Sequence, residues 1–87
     1  MTFDNCSSRF PITMPDLGTG SEVVRVSAWL VEVGQNVIAG DRVVEVLLPG
    51  ITFDIHAART GELVEITVPV DAVVAAGQVL GWIAADA

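Results

Sequence analysis

The chain has 87 residues, 52% of them hydrophobic, and it contains no lysine; its four cationic residues are Arg9, Arg25, Arg42 and Arg59. A chain of this length forms one small domain with a single core. Eleven carboxylates against four arginines give a net charge of −7. This charge excludes nucleic acid as an expected ligand, because binding it relies on lysine and arginine, and it favours a basic protein partner.

The chain is expected to be cytoplasmic. No apolar run approaches the roughly 20 residues that cross a membrane, and the first residues do not resemble a secretory leader. Cys6 is the only cysteine, so no disulfide is expected within the chain. Residues 1–10 are expected to form a flexible N-terminal segment, followed by one domain over residues 11–87.

Short β-strands separated by turns are predicted along the whole domain. β-branched residues and alternating apolar positions favour strands, glycine, proline, asparagine and aspartate mark the turns, and no segment has the apolar stripe and caps of a helix. Alternation in the second strand predicts that Val24, Val26, Ala28 and Leu30 share its buried face. The predicted strands span residues 10–14, 21–33, 37–38, 42–48, 51–57, 62–68, 73–74 and 78–84.

The second half of the domain repeats the first at an offset of 37 residues. Each half contains a long strand, a turn, a very short strand, an Ala-Gly turn and another strand. Neither half forms a sheet large enough to bury its apolar face alone, so we predict two small antiparallel sheets packed as a pseudo-twofold β-sandwich. The repeated positions are Val31, Val33, Val37, Ala39 and Gly40, which recur as Val68, Val70, Val74, Ala76 and Gly77.

A hairpin is predicted to project at one end of the sandwich. Pro49-Gly50 fits the centre of a type II turn, because proline presets the first φ and glycine supplies the positive φ of the second position. The predicted tip is apolar and consists of Leu47, Leu48, Pro49, Gly50 and Ile51. Exposed apolar residues often mark a partner site, and the alternative is that these residues only cap the sandwich.

Several segments, taken in order, resemble the lipoyl/biotinyl carrier domain family. Residues 12–18 (Ile-Thr-Met-Pro-Asp-Leu-Gly) resemble its opening Met-Pro-x-Leu-Gly phrase. Residues 29–37 resemble its Trp-x-Val-x-x-Gly-Asp-x-Val segment, and residues 40–46 resemble Gly-Asp-x-Leu-x-Glu-Val. Residues 57–61 and 76–80 complete the register. The lipoyl domains of dihydrolipoyl acyltransferases fit better than the biotin branch, which carries Met-Lys-Met at the tip.

The resemblance implies an all-β barrel-sandwich hybrid with a lysine at the hairpin tip, whose amine forms the amide to lipoate or biotin. Gly50 occupies the position of that lysine, and leucines and proline replace the acidic residues that the family carries beside it. We therefore expect no covalent cofactor and no cofactor-binding residue in this chain.

No other residues form a convincing catalytic or metal site. His56 has no second histidine or cysteine cluster near it in sequence, so no metal site is expected. Asp16 and Glu45 lack an accompanying nucleophile or pocket signature, so no catalytic residue is assigned. Trp29 and Trp82 lie on predicted strands and are expected to serve in packing.

The predicted function is a non-catalytic, lipoyl-domain-like module that binds or accompanies another protein, with residues 47–51 as the candidate contact. The alternative is a lipoyl-type acyl-carrier relative that serves a 2-oxoacid dehydrogenase complex as an accessory or decoy domain. An enzyme ranks last, and the sequence leaves the oligomeric state open.

Overall fold

The structure, a computed structural model, describes residues 8–18, 20 and 23–85. Eight β-strands account for the secondary structure in these residues. No helix in these ranges is long and apolar enough to cross a membrane. The all-β prediction is therefore confirmed. The strands are β1 (Ser8–Thr13), β2 (Val24–Trp29), β3 (Asn36–Val37), β4 (Arg42–Leu48), β5 (Ile51–His56), β6 (Gly61–Ile66), β7 (Val73–Val74) and β8 (Val79–Ala85).

The strands form two four-stranded sheets with the orders β1-β8-β6-β3 and β5-β4-β2-β7. All of their strand pairs are antiparallel. β-Branched and leucine side chains from both sheets meet between them, where they fit the pleated surfaces. The predicted sandwich of two small sheets is confirmed. The largest fully buried side chains are Leu63, Leu80, Ile83, Val26, Val37, Val43, Val44 and Val46.

The internal repeat relates one sheet to the other. Exchanging strands β1 to β4 with strands β5 to β8, in order, converts one strand order into the other. The hydrogen bonds of the turns repeat as well: the Gly40 N–H donates to the Ala57 carbonyl, and the Gly77 N–H donates to the Met14 carbonyl, both at 2.8 Å. Strands β2 to β4 match β6 to β8 at the offset of 37 residues, while β1 matches β5 at an offset of 43. The predicted pseudo-twofold arrangement is thus present.

Strand β2 is shorter than predicted, and a bulge changes which of its side chains are buried. The strand ends at Trp29 rather than at residue 33, and residues 21 and 22 lie outside the described residues. The register shifts between Val26 and Ala28, and an extra residue at a bulge interrupts the alternation of faces. The prediction that Leu30 is buried is therefore wrong: Leu30 is 41% exposed, while Trp29 packs against the core.

Strand β1 begins before the predicted domain boundary. Residues 8–10 pair with residues 83–85 of β8, so these three residues of the predicted flexible segment belong to the sheet. Pro11 does not interrupt β1, because the strand lies at a sheet edge and its outer side needs no N–H. Residues 1–7, including Cys6, lie outside the described residues.

Candidate partner-binding site at the hairpin tip

Strands β4 and β5 form a hairpin whose turn consists of Pro49 and Gly50. Leu48 pairs with Ile51, so only two residues connect the strands. Gly50 has a φ of 77°, close to the value of the second central residue in a type II turn. The predicted positive φ at Gly50 is confirmed. Proline suits the first central position because its ring fixes φ near the value required there.

A partly apolar surface lies behind this turn on the outer face of the sheet. Strand pairing places Thr52, Leu47, Arg25 and Val73 in one row across four strands. Leu47 is 45% exposed and Val73 is 53% exposed, because the buried residues of these strands point to the opposite face. The residues that line a shallow groove here are Val23, Arg25, Leu47, Leu48, Pro49 and Gly50.

Arg25 is the only charged side chain among the residues that line this groove. Its guanidinium donates a hydrogen bond of 3.2 Å to the backbone carbonyl of Asp71. This contact holds the cation at the turn that precedes β7, and Leu47 remains 45% exposed.

The other face of the hairpin is apolar too. Ile51 and Phe53 pair with Leu48 and Val46, so they lie on the core-facing side of the sheet. Ile51 is nevertheless 61% exposed and Phe53 is 42% exposed, because β5 is the last strand of its sheet. Apolar surface is therefore available on both faces of the tip.

Most of the predicted contact residues are accessible. Leu47, Pro49, Gly50 and Ile51 are exposed, whereas Leu48 is half-buried and packs against the core. Val23 and Val73 were not predicted as part of this surface. They reach it through the strand order β4-β2-β7, which the sequence pattern does not specify.

The other residues considered from the sequence make structural contacts. Trp29 packs against the core, as predicted, and its indole N–H donates to the Val68 carbonyl at 2.9 Å. Trp82 is half-buried, with the Arg9 guanidinium 5.8 Å from the centre of its ring. Asp16 accepts a hydrogen bond from the Gly18 N–H at 2.9 Å, and Glu45 accepts one from the Ser27 hydroxyl at 3.0 Å. The two carboxylates thus serve separate local contacts.

His56 lies exposed at the end of β5, opposite Arg42 of β4. Arg42 makes an ion pair of 3.2 Å with Asp54. Within the described parts of the chain, no three side chains of histidine, cysteine, aspartate or glutamate come together to hold a metal ion.

Comparison with known proteins identifies the family. The sequence pattern of the biotin/lipoyl family described as "Biotin-requiring enzyme" matches residues 11–83. The chain belongs to this family. Domains of the family are carrier modules and are not themselves catalytic. No curated protein matches the chain in sequence.

A solved structure described as a "single-chain, multi-domain long-chain acyl-coa carboxylase" has a similar fold, with a TM-score of 0.68 and 15% sequence identity. The similarity covers 100% of this chain and 8% of that chain, so this domain corresponds to a small part of the larger protein. At this identity the likeness establishes the barrel-sandwich fold alone.

The hairpin tip of this family member does not fit a covalently attached biotin or lipoyl group. Gly50 has no side chain, and no lysine is present elsewhere in the sequence. A Cβ added to Gly50 would meet no heavy atom within 4 Å, but the φ of 77° is strained for any residue that has one. The tip therefore lacks both the nucleophilic amine and a backbone conformation that suits a lysine.

Proposed function

We propose that this domain is a non-catalytic protein-interaction or accessory module that carries no covalent cofactor. The observation that carries this proposal is Gly50, which stands at the hairpin tip with a φ of 77° and no amine. The chain keeps the carrier sandwich and its projecting hairpin but has no attachment point. What remains for function is the surface through which such a domain meets another protein.

The partner contact is the apolar tip formed by residues 47–51. Leu47 is 45% exposed and Ile51 is 61% exposed. Complete burial of a fully exposed side chain of this size contributes roughly 1.5–3 kcal/mol, so covering the exposed part of each contributes roughly half of that. The net charge of −7 would steer a basic partner toward the domain and speed its association. Apolar side chains at the tip supply affinity, and the acidic surface supplies orientation.

Affinity purification of Leu47→Asp and Ile51→Asp variants from the native cell, followed by mass spectrometry, tests this role. We expect both variants to lose the partner that the unmodified protein captures. Ile38→Asp is the matched control, because Ile38 is 65% exposed and lies outside the hairpin. The tip is not the contact if the captured partners stay the same in all three variants.

Intact-mass measurement of the purified native protein tests the absence of a covalent group. We expect the mass of the unmodified polypeptide. A mass increase equal to one biotinyl or lipoyl group on any side chain would refute the proposal, whatever the outcome of the partner capture.

The second candidate is an acyl-carrier relative that accompanies a multienzyme complex. The similarity of residues 12–18, 29–37 and 40–46 to lipoyl domains supports a 2-oxoacid dehydrogenase complex. Co-purification with subunits of such a complex distinguishes this candidate from the first. We place the module in the cytoplasm, because Cys6 has no second cysteine to pair with in this sequence.

A further inference from the structure

The four edge strands of the sandwich differ in how they are protected from pairing with another chain. Strands β3 and β7 have two residues each and offer little to an added strand. Strands β1 and β5 have six residues each and occupy equivalent edges of the two sheets. An unpaired edge of this length is a template for a further strand unless proline or charge blocks it.

Proline blocks one of these two edges. Pro11 lies opposite Trp82 in the pairing of β1 with β8, and Asp54 lies opposite Glu45 in the pairing of β5 with β4. These positions correspond under the pseudo-twofold arrangement. Since Pro11 has no N–H, its nitrogen must face away from β8 for the pairing to be retained.

The equivalent position on β5 keeps its N–H. By the same geometry, the Asp54 N–H points away from β4 and toward solvent. The turn leads to the same conclusion, because a two-residue hairpin closes on the hydrogen-bonded pair Leu48–Ile51. Alternation along β5 then leaves Thr52 and Asp54 with outward N–H and C=O groups. In residues 8–18, 20 and 23–85, β4 is the only strand that pairs with β5.

Side chains also protect the edge at β1 more than the edge at β5. On β1, the ring of Phe10 lies 4.1 Å from the guanidinium of Arg59, which covers it. The equivalent ring of Phe53 is 42% exposed. The Asp54 carboxylate is held by Arg42 of the neighbouring strand at 3.2 Å, so it is drawn across its own sheet and does not extend over the edge.

We propose that β5 accepts an extended segment of a basic partner protein as an added strand. This proposal rests on the proposed interaction function and specifies its partner and docking site. Residues of the added strand on the core-facing side would cover Ile51 and Phe53 and are therefore apolar. Residues on the outer side are lysine or arginine, because the net charge of −7 attracts them to the domain.

Charge decides between this occupant and a second copy of the chain. Each copy carries a net charge of −7, so self-association brings two acidic surfaces together. A segment with lysine or arginine at every second position is attracted to the same surface. The backbone of β5 accepts any strand, and the charge of the domain selects a basic one.

NMR titration of the ¹⁵N-labelled domain with a short peptide of alternating valine and lysine tests the proposal. We expect chemical-shift changes and slower hydrogen exchange at the Thr52 and Asp54 amides. Asp54→Pro is expected to weaken binding about tenfold or more, because it removes an outward donor and obstructs the edge. Asp54→Ala loses the same carboxylate but keeps the N–H, and its affinity should stay within about threefold of the unmodified domain.

Asp54→Pro should fold, because the equivalent strand already contains Pro11 at this position. If circular dichroism shows that it does not fold, the same test is made on the unmodified domain with a peptide whose amides on the edge facing β5 are N-methylated. This peptide should bind about tenfold more weakly than the unmethylated one. Equal affinities for Asp54→Pro and Asp54→Ala in a folded variant, or for methylated and unmethylated peptides, would overturn strand addition.

Two further outcomes would overturn the choice of partner. The first is equal binding of a peptide of alternating valine and glutamate. The second is a dimer of the domain, detected by sedimentation at micromolar concentration, that Asp54→Pro abolishes and Asp54→Ala retains. Leu47→Asp tests the hairpin tip separately, so failure of strand addition at β5 is distinguishable from failure of the proposed interaction function.

Discussion

Substitution of Gly50 tests whether this turn can hold the lysine that the resemblance places there. The φ of 77° lies in the left-handed region, where a residue with a Cβ loses roughly 1–2 kcal/mol. A Cβ at this position meets no heavy atom within 4 Å, so the loss comes from the backbone alone. We therefore expect Gly50→Ala and Gly50→Lys to lower the free energy of unfolding equally, by about 1 kcal/mol.

A loss of this size is measurable in a domain of 87 residues. It corresponds to a fall in Tm of roughly 4–8 °C. Gly50→Asn should lose less, because asparagine tolerates the left-handed region better than alanine does. Gly40→Ala is the matched control: Gly40 has a φ of 97° with no neighbour within 4 Å of an added Cβ, and it should lose a similar amount.

Urea unfolding, followed by the fluorescence of Trp29 and Trp82, measures these differences. The dependence of the free energy on urea should be the same for all variants, since the surface exposed on unfolding does not change. A much larger loss for Gly50→Lys than for Gly50→Ala would show that something other than φ disfavours the lysine. No loss for either variant would show that the turn adopts another conformation readily, and the backbone argument against an attachment lysine would then fail.

Substitutions at three further positions test the packing and the backbone conformation by the same unfolding measurement. Gly61→Ala should lower the free energy of unfolding by about 3 kcal/mol, because the added Cβ would clash with the backbone carbonyl of Ala84. A decrease below about 1 kcal/mol would contradict this close approach of the strands. Trp29→Phe should lower the free energy of unfolding by about 1–2 kcal/mol, because it leaves the Val68 carbonyl without its donor. An unchanged free energy would mean that water replaces the indole N–H. Asp71→Ala should lower the free energy of unfolding by about 1 kcal/mol, because Asp71 has a φ of 75°. Asp71→Asn should leave it nearly unchanged, and equal decreases for the two variants would contradict a backbone cause.

The fold was predictable because its turn signals occur twice. Gly40 and Gly77, which are repeated positions in the sequence, have φ values of 97° and 85° and occupy the third position of equivalent four-residue turns. The predicted bounds of the strand over residues 42–48 agree with β4. Local turn chemistry and β-branched runs thus determine where strands start and stop, and the repeat allows each half to support the interpretation of the other.

The errors in the sequence analysis concern features that depend on the neighbouring strand. The bulge in β2 arises in its pairing with β4, and alternation along β2 alone could not predict that Leu30 is exposed. The candidate site has the same limitation. Leu47 could be assigned to the tip from sequence, but Val23 and Val73 join it only because β2 and β7 lie beside β4 in the sheet.

The pseudo-twofold arrangement separates what the fold requires from what it leaves free. Backbone hydrogen bonds that occur in both halves, such as Gly34 N–H to Leu63 and Asp71 N–H to Val26, are requirements of the sandwich. Pro11 and Asp54 occupy equivalent positions in equally paired strands, so the sandwich accepts a protected edge as readily as an open one. The open apolar edge of β5 is therefore not a consequence of the fold, and a partner strand is the physical reason that we infer for it.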